Sequence, residues 1–227
     1  MFFRDDPRVK GKDVLVQRAQ LSELCYIHGP DMLQHYLVSM NTKQPAGMID
    51  ISKLIHDNFD ARQLEDHIFK DYGGSSETML KYILEAGSIV SSEGIGMAEQ
   101  RLRQYGPLLV ARFEVHLDFF NNTVHRHHGK PFGKYKGLHA MVLIGARTDE
   151  KGKRFFLLQN WWKDKQFIEV DEEYLEHSSA TLYYVKTPQH SIPDKFTVDY
   201  AKFAENENLD KPESYPELEG PIKGMFD

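Results

Sequence analysis

GLHAMVLIG, residues 137–145, places a single histidine, His139, at the mouth of an apolar strand. The polar residues 148–153 separate this stretch from a second apolar one, FFLLQNWW at 155–162. Two apolar stretches joined by a short polar turn predict an antiparallel hairpin. Such a hairpin brings His139 to the same edge of the sheet as Asn160, which ends the second strand.

The chain contains one cysteine, Cys25, far upstream of both residues. A lone cysteine, followed at long range by a histidine and an asparagine, is typical of a Cys-His-Asn nucleophilic site. In such a site the thiolate attacks, the imidazole takes the thiol proton, and the amide holds the imidazole in the required tautomer. Taken singly, each residue has a plainer interpretation: a buried structural cysteine, a strand-end histidine and a turn asparagine. Their order and spacing together favour the nucleophilic site.

Composition excludes several other classes of protein. With a net charge of −6, the chain is not expected to bind nucleic acid. It has no run of apolar residues long enough to cross a membrane, and its first residues do not resemble a signal peptide. One cysteine permits no internal disulfide, so a reducing, cytoplasmic compartment is the simpler expectation. No cofactor or metal is expected.

The N-terminal half has helical patterns. Apolar residues recur at three- and four-residue spacing from Met32 to Met40, which predicts a helix with one apolar face. Gly29-Pro30-Asp31 either opens that helix or kinks one that begins near Cys25. Shorter helices are predicted at 49–58, 61–69, 77–86 and 97–105, the third after the capping loop Gly73-Gly74-Ser75-Ser76.

The C-terminal half has strand patterns, so the chain is predicted to be an α+β protein. The strands are expected at 108–113, 140–146, 154–159, 167–170 and 181–186. We predict a helical lobe over 1–106, a β-rich lobe over 107–188, and an acidic tail over 189–227. The tail has nine acidic and four basic residues together with four prolines, which predicts an extended or partly disordered segment.

These motifs, taken in order, resemble those of the papain-like cysteine peptidases. His139-Ala140 and the apolar residues after them resemble the family's histidine strand. Asn160 is followed two positions later by Trp162, as the family's asparagine is followed by a tryptophan. Cys25-Tyr26 resembles the family's cysteine and aromatic pair, and Gly73-Gly74 before a helix resembles its glycine pair. The resemblance spans about residues 17–186 and implies a two-lobed papain-like fold.

The resemblance also implies roles for individual residues. Cys25 would be the nucleophile, His139 the base and Asn160 the residue that orients the base. Gln20 would donate to the oxyanion, with Gln17 as an alternative, because the family's glutamine lies six residues before its cysteine and Gln20 lies five before. The substrate-binding residues implied in the same way are Gly73, Gly74, Ser76, Ala140 and Trp162.

The activity implied is hydrolysis of a peptide or isopeptide bond in a protein or peptide substrate. A ubiquitin-like C-terminus is one candidate substrate, since a glycine-lined groove admits a thin Gly-Gly tail. Two alternatives use the same fold: an acyl transferase of transglutaminase type, and a peptide-binding module without activity. The family's usual secreted members have several disulfides, so a disulfide-free chain indicates a divergent relative.

Two further features are expected to be solvated surface. The cluster His125-Arg126-His127-His128 contains histidines, which are common metal ligands, but no residue of another ligand type is placed with them. Lys130, Lys134 and Lys136 make the segment before His139 basic, and contact with an acidic partner is the alternative interpretation.

Overall fold

The protein is described by a computed structural model, which covers residues 6–9, 24–42, 49, 74–121 and 123–193. A seven-stranded sheet forms its centre, in the order β1-β7-β2-β4-β5-β6-β3. All described pairs of neighbouring strands are antiparallel except β3 and β6, which are parallel. The strands are β1 (Val90–Glu93), β2 (Leu108–His116), β3 (Arg126–His127), β4 (Tyr135–Thr148), β5 (Arg154–Trp162), β6 (Lys165–Asp171) and β7 (Thr181–Val185).

Four α-helices accompany the sheet in the described residues: α1 (Cys25–Thr42), α2 (Ser76–Ile83), α3 (Ala98–Tyr105) and α4 (Glu172–His177). Short 3-10 helices lie at Ile95–Met97 and Leu117–Phe120. Helices and a largely antiparallel sheet confirm the predicted α+β class. No helix in the described ranges is long and apolar enough to cross a membrane.

The helix α1 begins at Cys25 and continues through Pro30, which resolves the choice that the sequence leaves open. Its residues are buried from Cys25 to Met40, so it is an interior helix with no solvent face over that range. Tyr36 donates its hydroxyl hydrogen to Gln159 Oε1 on β5, and Gln34 Nε2 donates to the carbonyl oxygen of Ile83 at 2.8 Å. These bonds join α1 to the sheet on one side and to α2 on the other.

The sheet is buried on both faces, which explains the near-continuous apolar run of β4. Ala140, Val142 and Ile144 face the core that contains Met32, Leu33, Leu109 and Trp161. Met141 and Leu143 face a second core, which contains Phe113, Phe156, Leu158 and Ile168. Because successive side chains of a strand point to opposite faces, one strand lines both cores.

Some predicted boundaries differ from the structure. The helix expected at 77–86 is α2, which begins at Ser76 after the N-cap Ser75 and ends at Ile83, because Leu84 turns to an extended conformation with ψ of 161°. The predicted helix 97–105 begins at Ala98, since a 3-10 turn precedes it. The expected strands are all present, and β2, β4 and β5 are longer than predicted.

Two strands, β3 and β1, were not predicted from the sequence, and they form the two edges of the sheet. The strand β3 has only two residues, and β1, with the sequence VSSE, is polar and short, as is usual for an edge strand. The strand β1 pairs with β7 through Val90 opposite Val185, so the sheet includes a strand from before residue 106. The three-part domain division stays a prediction. The expected helices at 49–58 and 61–69, apart from Ile49, and the tail from residue 194 lie outside the described residues.

Candidate active site

His139 on β4 and Asn160 on β5 are joined by a hydrogen bond of 2.7 Å between Nε2 and Oδ1. Both side chains are buried. The amide Nδ2 of Asn160 donates to the backbone carbonyl of Lys165 at 3.0 Å, so its Oδ1 is the atom that faces the imidazole. An amide oxygen only accepts, so Nε2 of His139 must carry the hydrogen. The other ring nitrogen, Nδ1, is therefore the one that can accept a proton.

Aromatic rings cover this pair. The ring of Trp162 lies 5.1 Å from the ring of His139, centroid to centroid, and the ring of Phe120 stacks on Trp162 at 5.0 Å. Burial lowers the pKa of His139 to about 4, while the hydrogen bond to Asn160 acts in the opposite direction. The imidazole is thus neutral near pH 7, which is the form that accepts a proton.

Cys25 is the first residue of α1 and is buried. The N-terminus of a helix carries partial positive charge, which favours a thiolate over a thiol. Cys25 belongs to the same core cluster as Ala140 and Trp161, the chain neighbours of His139 and Asn160. The cysteine therefore packs against residues that are adjacent in the chain to the His-Asn pair.

Gly29 shows how closely α1 approaches the histidine strand. A Cβ added at Gly29 would lie 2.8 Å from Leu109 Cδ1 and 3.5 Å from the Cβ of Ala140. Residues four apart share one face of a helix, so Cys25 lies on the face that packs against Ala140. His28, one helical turn after Cys25, stacks its ring on that of Trp161 at 6.0 Å. Trp161 Nε1 in turn donates to the Ala140 carbonyl at 2.8 Å.

The structure describes four of the five predicted substrate-binding residues. Gly74 lies against the ring of Tyr26, where an added Cβ would be 2.6 Å from Cε2, so this backbone passes the residue next to Cys25 with no room for a side chain. Ser76 begins α2 and is buried, Ala140 follows His139 in β4 and is buried, and the ring of Trp162 lies beside that of His139. Gln20 and Gly73 lie outside the described residues.

The sequence analysis missed a buried lysine, Lys165, that supports the site. Its side chain is 0% exposed, and Nζ donates to the Phe119 carbonyl, to the Asn121 carbonyl at 3.1 Å and to His127 Nε2 at 3.0 Å. Burial lowers its pKa to about 8, and the charge of Asp118 opposes that shift. Since the Lys165 carbonyl also holds Asn160, this residue joins the 3-10 turn to the candidate site.

His127 corrects one expectation. It was predicted to be part of a solvated cluster, and its neighbours Arg126 and His128 are indeed exposed, but His127 is buried. Its ring stacks on Phe119 at 5.1 Å. Burial, and then the charge of Lys165, lower its pKa to about 4. No pattern in the sequence distinguishes His127 from the histidines on either side of it.

Neither a protein-family model nor the sequence of a curated protein matches this chain. Solved structures do match it. One comes from a study of the limited antibody cross reactivity between the mite allergens Blo t 1 and Der p 1, with a TM-score of 0.58, 13% identity, and coverage of 82% of this chain and 70% of the other.

A second is the bromelain protease of Ananas comosus in complex with the E64 inhibitor, with a TM-score of 0.55 and 13% identity, covering 82% of this chain and 97% of the other. The chain therefore has a papain-like fold, as the resemblance in the sequence predicted.

Proposed function

We propose that the protein is a cysteine peptidase or isopeptidase in which Cys25, His139 and Asn160 act together. The observation that carries the proposal is the bond from His139 Nε2 to Asn160 Oδ1, because it leaves Nδ1 as the basic nitrogen. The fold supports it, since one of the matched structures is the bromelain protease in complex with the E64 inhibitor.

The reaction begins with transfer of the Cys25 thiol proton to His139 Nδ1. The thiolate attacks the substrate carbonyl carbon, and the carbonyl electron pair moves to the oxygen. Burial makes an isolated imidazolium unfavourable at this site, so its charge is stable only beside the thiolate or the oxyanion. The backbone N–H of Cys25, in the first turn of α1, and the side chain of Gln20 are the donors proposed for the oxyanion.

The tetrahedral intermediate then collapses. The bond from carbon to nitrogen breaks, His139 gives its proton to the departing amine, and a thioester to Cys25 remains. A water molecule loses a proton to His139 and attacks the thioester, and the carboxylic acid and the thiol are released. Each cycle returns Cys25 and His139 to their starting protonation states.

The proposed substrate is a protein or peptide bound in extended form past Gly74. A ubiquitin-like C-terminus is the finer proposal, because a glycine-lined groove would admit a thin Gly-Gly tail. The cytoplasm remains the proposed compartment, given that the chain has a single cysteine.

The test is labelling with a peptide epoxide and, separately, with a ubiquitin-based electrophile. Because Cys25 is the only thiol, one adduct per chain identifies the site by intact mass. We expect one adduct on the wild type and none on Cys25→Ala, with turnover abolished in that variant. An active preparation that keeps its rate after Cys25→Ala would overturn the proposal. A folded wild type that binds peptides but reacts with neither probe would favour the binding module.

A further inference from the structure

Most of the exposed large apolar side chains lie beside the candidate site. In the described part of the chain there are six such side chains, and Leu117, Phe132, Tyr135 and Leu138 account for four of them, with Phe132 71% exposed. The two segments that carry them are joined, since Leu117 N–H donates to the Lys134 carbonyl at 3.0 Å. We call these four residues the 117–138 patch. Grouped exposed apolar residues mark interaction surfaces more often than scattered ones do.

A cavity of about 590 Å³ opens at this patch. Leu117 and Phe132 border it, and Phe120 and Val124 add apolar wall. Asp118 also lines it, and its buried Oδ1 has no hydrogen-bond partner among the described residues. A cavity of this size accommodates a large side chain.

The charge around the patch is opposite in sign to that of the whole protein. The chain carries −6, yet it has no acidic residue from 119 through 148. Glu169 pairs with two of the cations in this range, Arg126 and Arg147, so the lysines Lys130, Lys134 and Lys136 supply the positive charge. Lys130 and Lys134 are exposed, and neither forms an ion pair with a described residue. A basic rim around apolar groups is complementary to a partner that has apolar side chains next to carboxylates.

The patch lies on the histidine side of the candidate site. Leu138 directly precedes His139, and Phe120, in the cavity wall, stacks on the Trp162 ring that covers His139. In the proposed hydrolysis His139 protonates the departing amine. The part of the substrate that departs first must therefore lie next to His139, whereas Gly74 lies against Tyr26 on the cysteine side.

We propose that the 117–138 patch and its cavity bind the leaving-group segment of a protein substrate, and that this segment carries a bulky apolar side chain next to Asp or Glu. The apolar side chain fills the cavity, and the carboxylates pair with the Lys130 and Lys134 ammonium groups. The identification of the bound segment as part of a substrate rests on the proposed hydrolase function. The binding surface itself does not depend on catalysis.

Binding is measured first, with the full chain carrying Cys25→Ala so that no turnover occurs. The probe is a fluorescent peptide with one Phe between Asp and Glu residues, compared with peptides in which Phe becomes Ser or the acids become Lys. We expect at least tenfold weaker binding for either altered peptide. Higher salt should weaken the acidic peptide further, because its contacts are exposed ion pairs.

Variants of the surface then locate the binding. Lys130→Glu with Lys134→Glu, or Phe132→Ser alone, should each weaken the acidic peptide at least tenfold. These side chains are exposed, so the fold should tolerate the changes. The matched control is Lys151→Glu with Lys186→Glu, which changes the net charge equally at exposed positions outside the patch and should leave binding unchanged. Equal weakening by both pairs would overturn the proposal.

A second arm separates this proposal from the proposed function. With the active protein, internally quenched peptides carrying the acidic Phe segment after the scissile bond should be cleaved at least tenfold faster, as kcat/KM, than peptides with the Lys segment. Patch-dependent peptide binding without any cleavage would support the surface and overturn the hydrolase. Cleavage with no preference would overturn the surface alone. Patch-dependent binding of RNA or of anionic vesicles, without binding of the peptide, would also overturn it.

Discussion

The β4–β5 hairpin and the 3-10 turn at Leu117–Phe120 both hold the candidate site, but they do so by different means. The hairpin places His139 and Asn160 through backbone pairing of two strands, which has one irregularity between Leu143 and Gly145 and brings Val142 opposite Gln159. The turn acts through Lys165, whose ammonium binds its carbonyls, and through rings that pack on Trp162. Strand pairing thus fixes which residues meet, while a loop and one buried charge hold them in place.

The largest expected effect comes from the hairpin. His139→Ala removes the base and should reduce kcat/KM about a thousandfold or more, as loss of one member does in other triads. Adding Cys25→Ala should bring little further loss, because the two residues act as one unit. The measurement is turnover of one substrate by the two single variants and the double variant. Independent, multiplying losses would contradict a shared mechanism.

Asn160→Ala should reduce the rate less, on the order of tens to hundreds of times, because it releases the imidazole without removing it. It also leaves the Lys165 carbonyl without its donor. Asn160→Asp is the matched variant, since it keeps an acceptor for His139 Nε2. We expect Asp to retain more activity than Ala, measured as kcat at saturating substrate. A loss for Asn160→Ala equal to that for His139→Ala would show that the amide does more than orient the ring.

Lys165→Met tests the turn. It leaves the Phe119 and Asn121 carbonyls and His127 Nε2 without this donor, and each unpaired buried group costs about 1–3 kcal/mol. Relief of the buried charge offsets part of this, so we expect a net loss of about 2–4 kcal/mol in unfolding free energy. Because Trp162 and Asn160 are then less firmly held, kcat should fall about tenfold. Lys163→Met, at the exposed neighbouring turn, should change neither quantity.

Two of the buried histidines, His139 and His127, predict an acid-sensitive window. The pKa values of His139 and His127 are both about 4 in the folded chain, against about 6.5 when unfolded. Between these pH values the unfolded chain binds more protons than the folded chain does. The free energy of unfolding is therefore highest above pH 6.5 and falls as the pH is lowered toward 4. Each histidine changes the free energy of unfolding by on the order of 3 kcal/mol between pH 6.5 and 4.

Urea unfolding at pH 7.5, 6.5 and 5.5 measures this effect above the range in which carboxylates titrate. Glu169, for example, has its pKa lowered by its bonds to Arg147, so its contribution is lost only at more acidic pH. A His127→Gln variant should have a smaller slope of free energy against pH than the wild type. A wild type whose stability is flat from pH 7.5 to 5.5 would contradict the burial of both rings.

The same contrast explains what the sequence allows one to predict. Strand periodicity and a polar turn suffice for the hairpin, and hence for the meeting of His139 with Asn160. The start of α1 is not predictable, since Pro30 is compatible both with a helix start and with an interior position in a buried helix. The strands β1 and β3 were missed because an edge strand needs no apolar face. Lys165 was missed because burial of a lysine depends on loop carbonyls that come together only in the fold.

The central claim is that Cys25 and His139 form one reactive pair, and the rate of alkylation of Cys25 tests it most directly. Iodoacetamide is used from pH 5 to 9 on the wild type, on His139→Ala and on a small free thiol, with the adduct counted by mass. We predict that the wild type reacts faster than the free thiol below pH 8, and that His139→Ala loses this advantage. Wild-type and His139→Ala rates that both follow the free thiol, at every pH, would contradict the account.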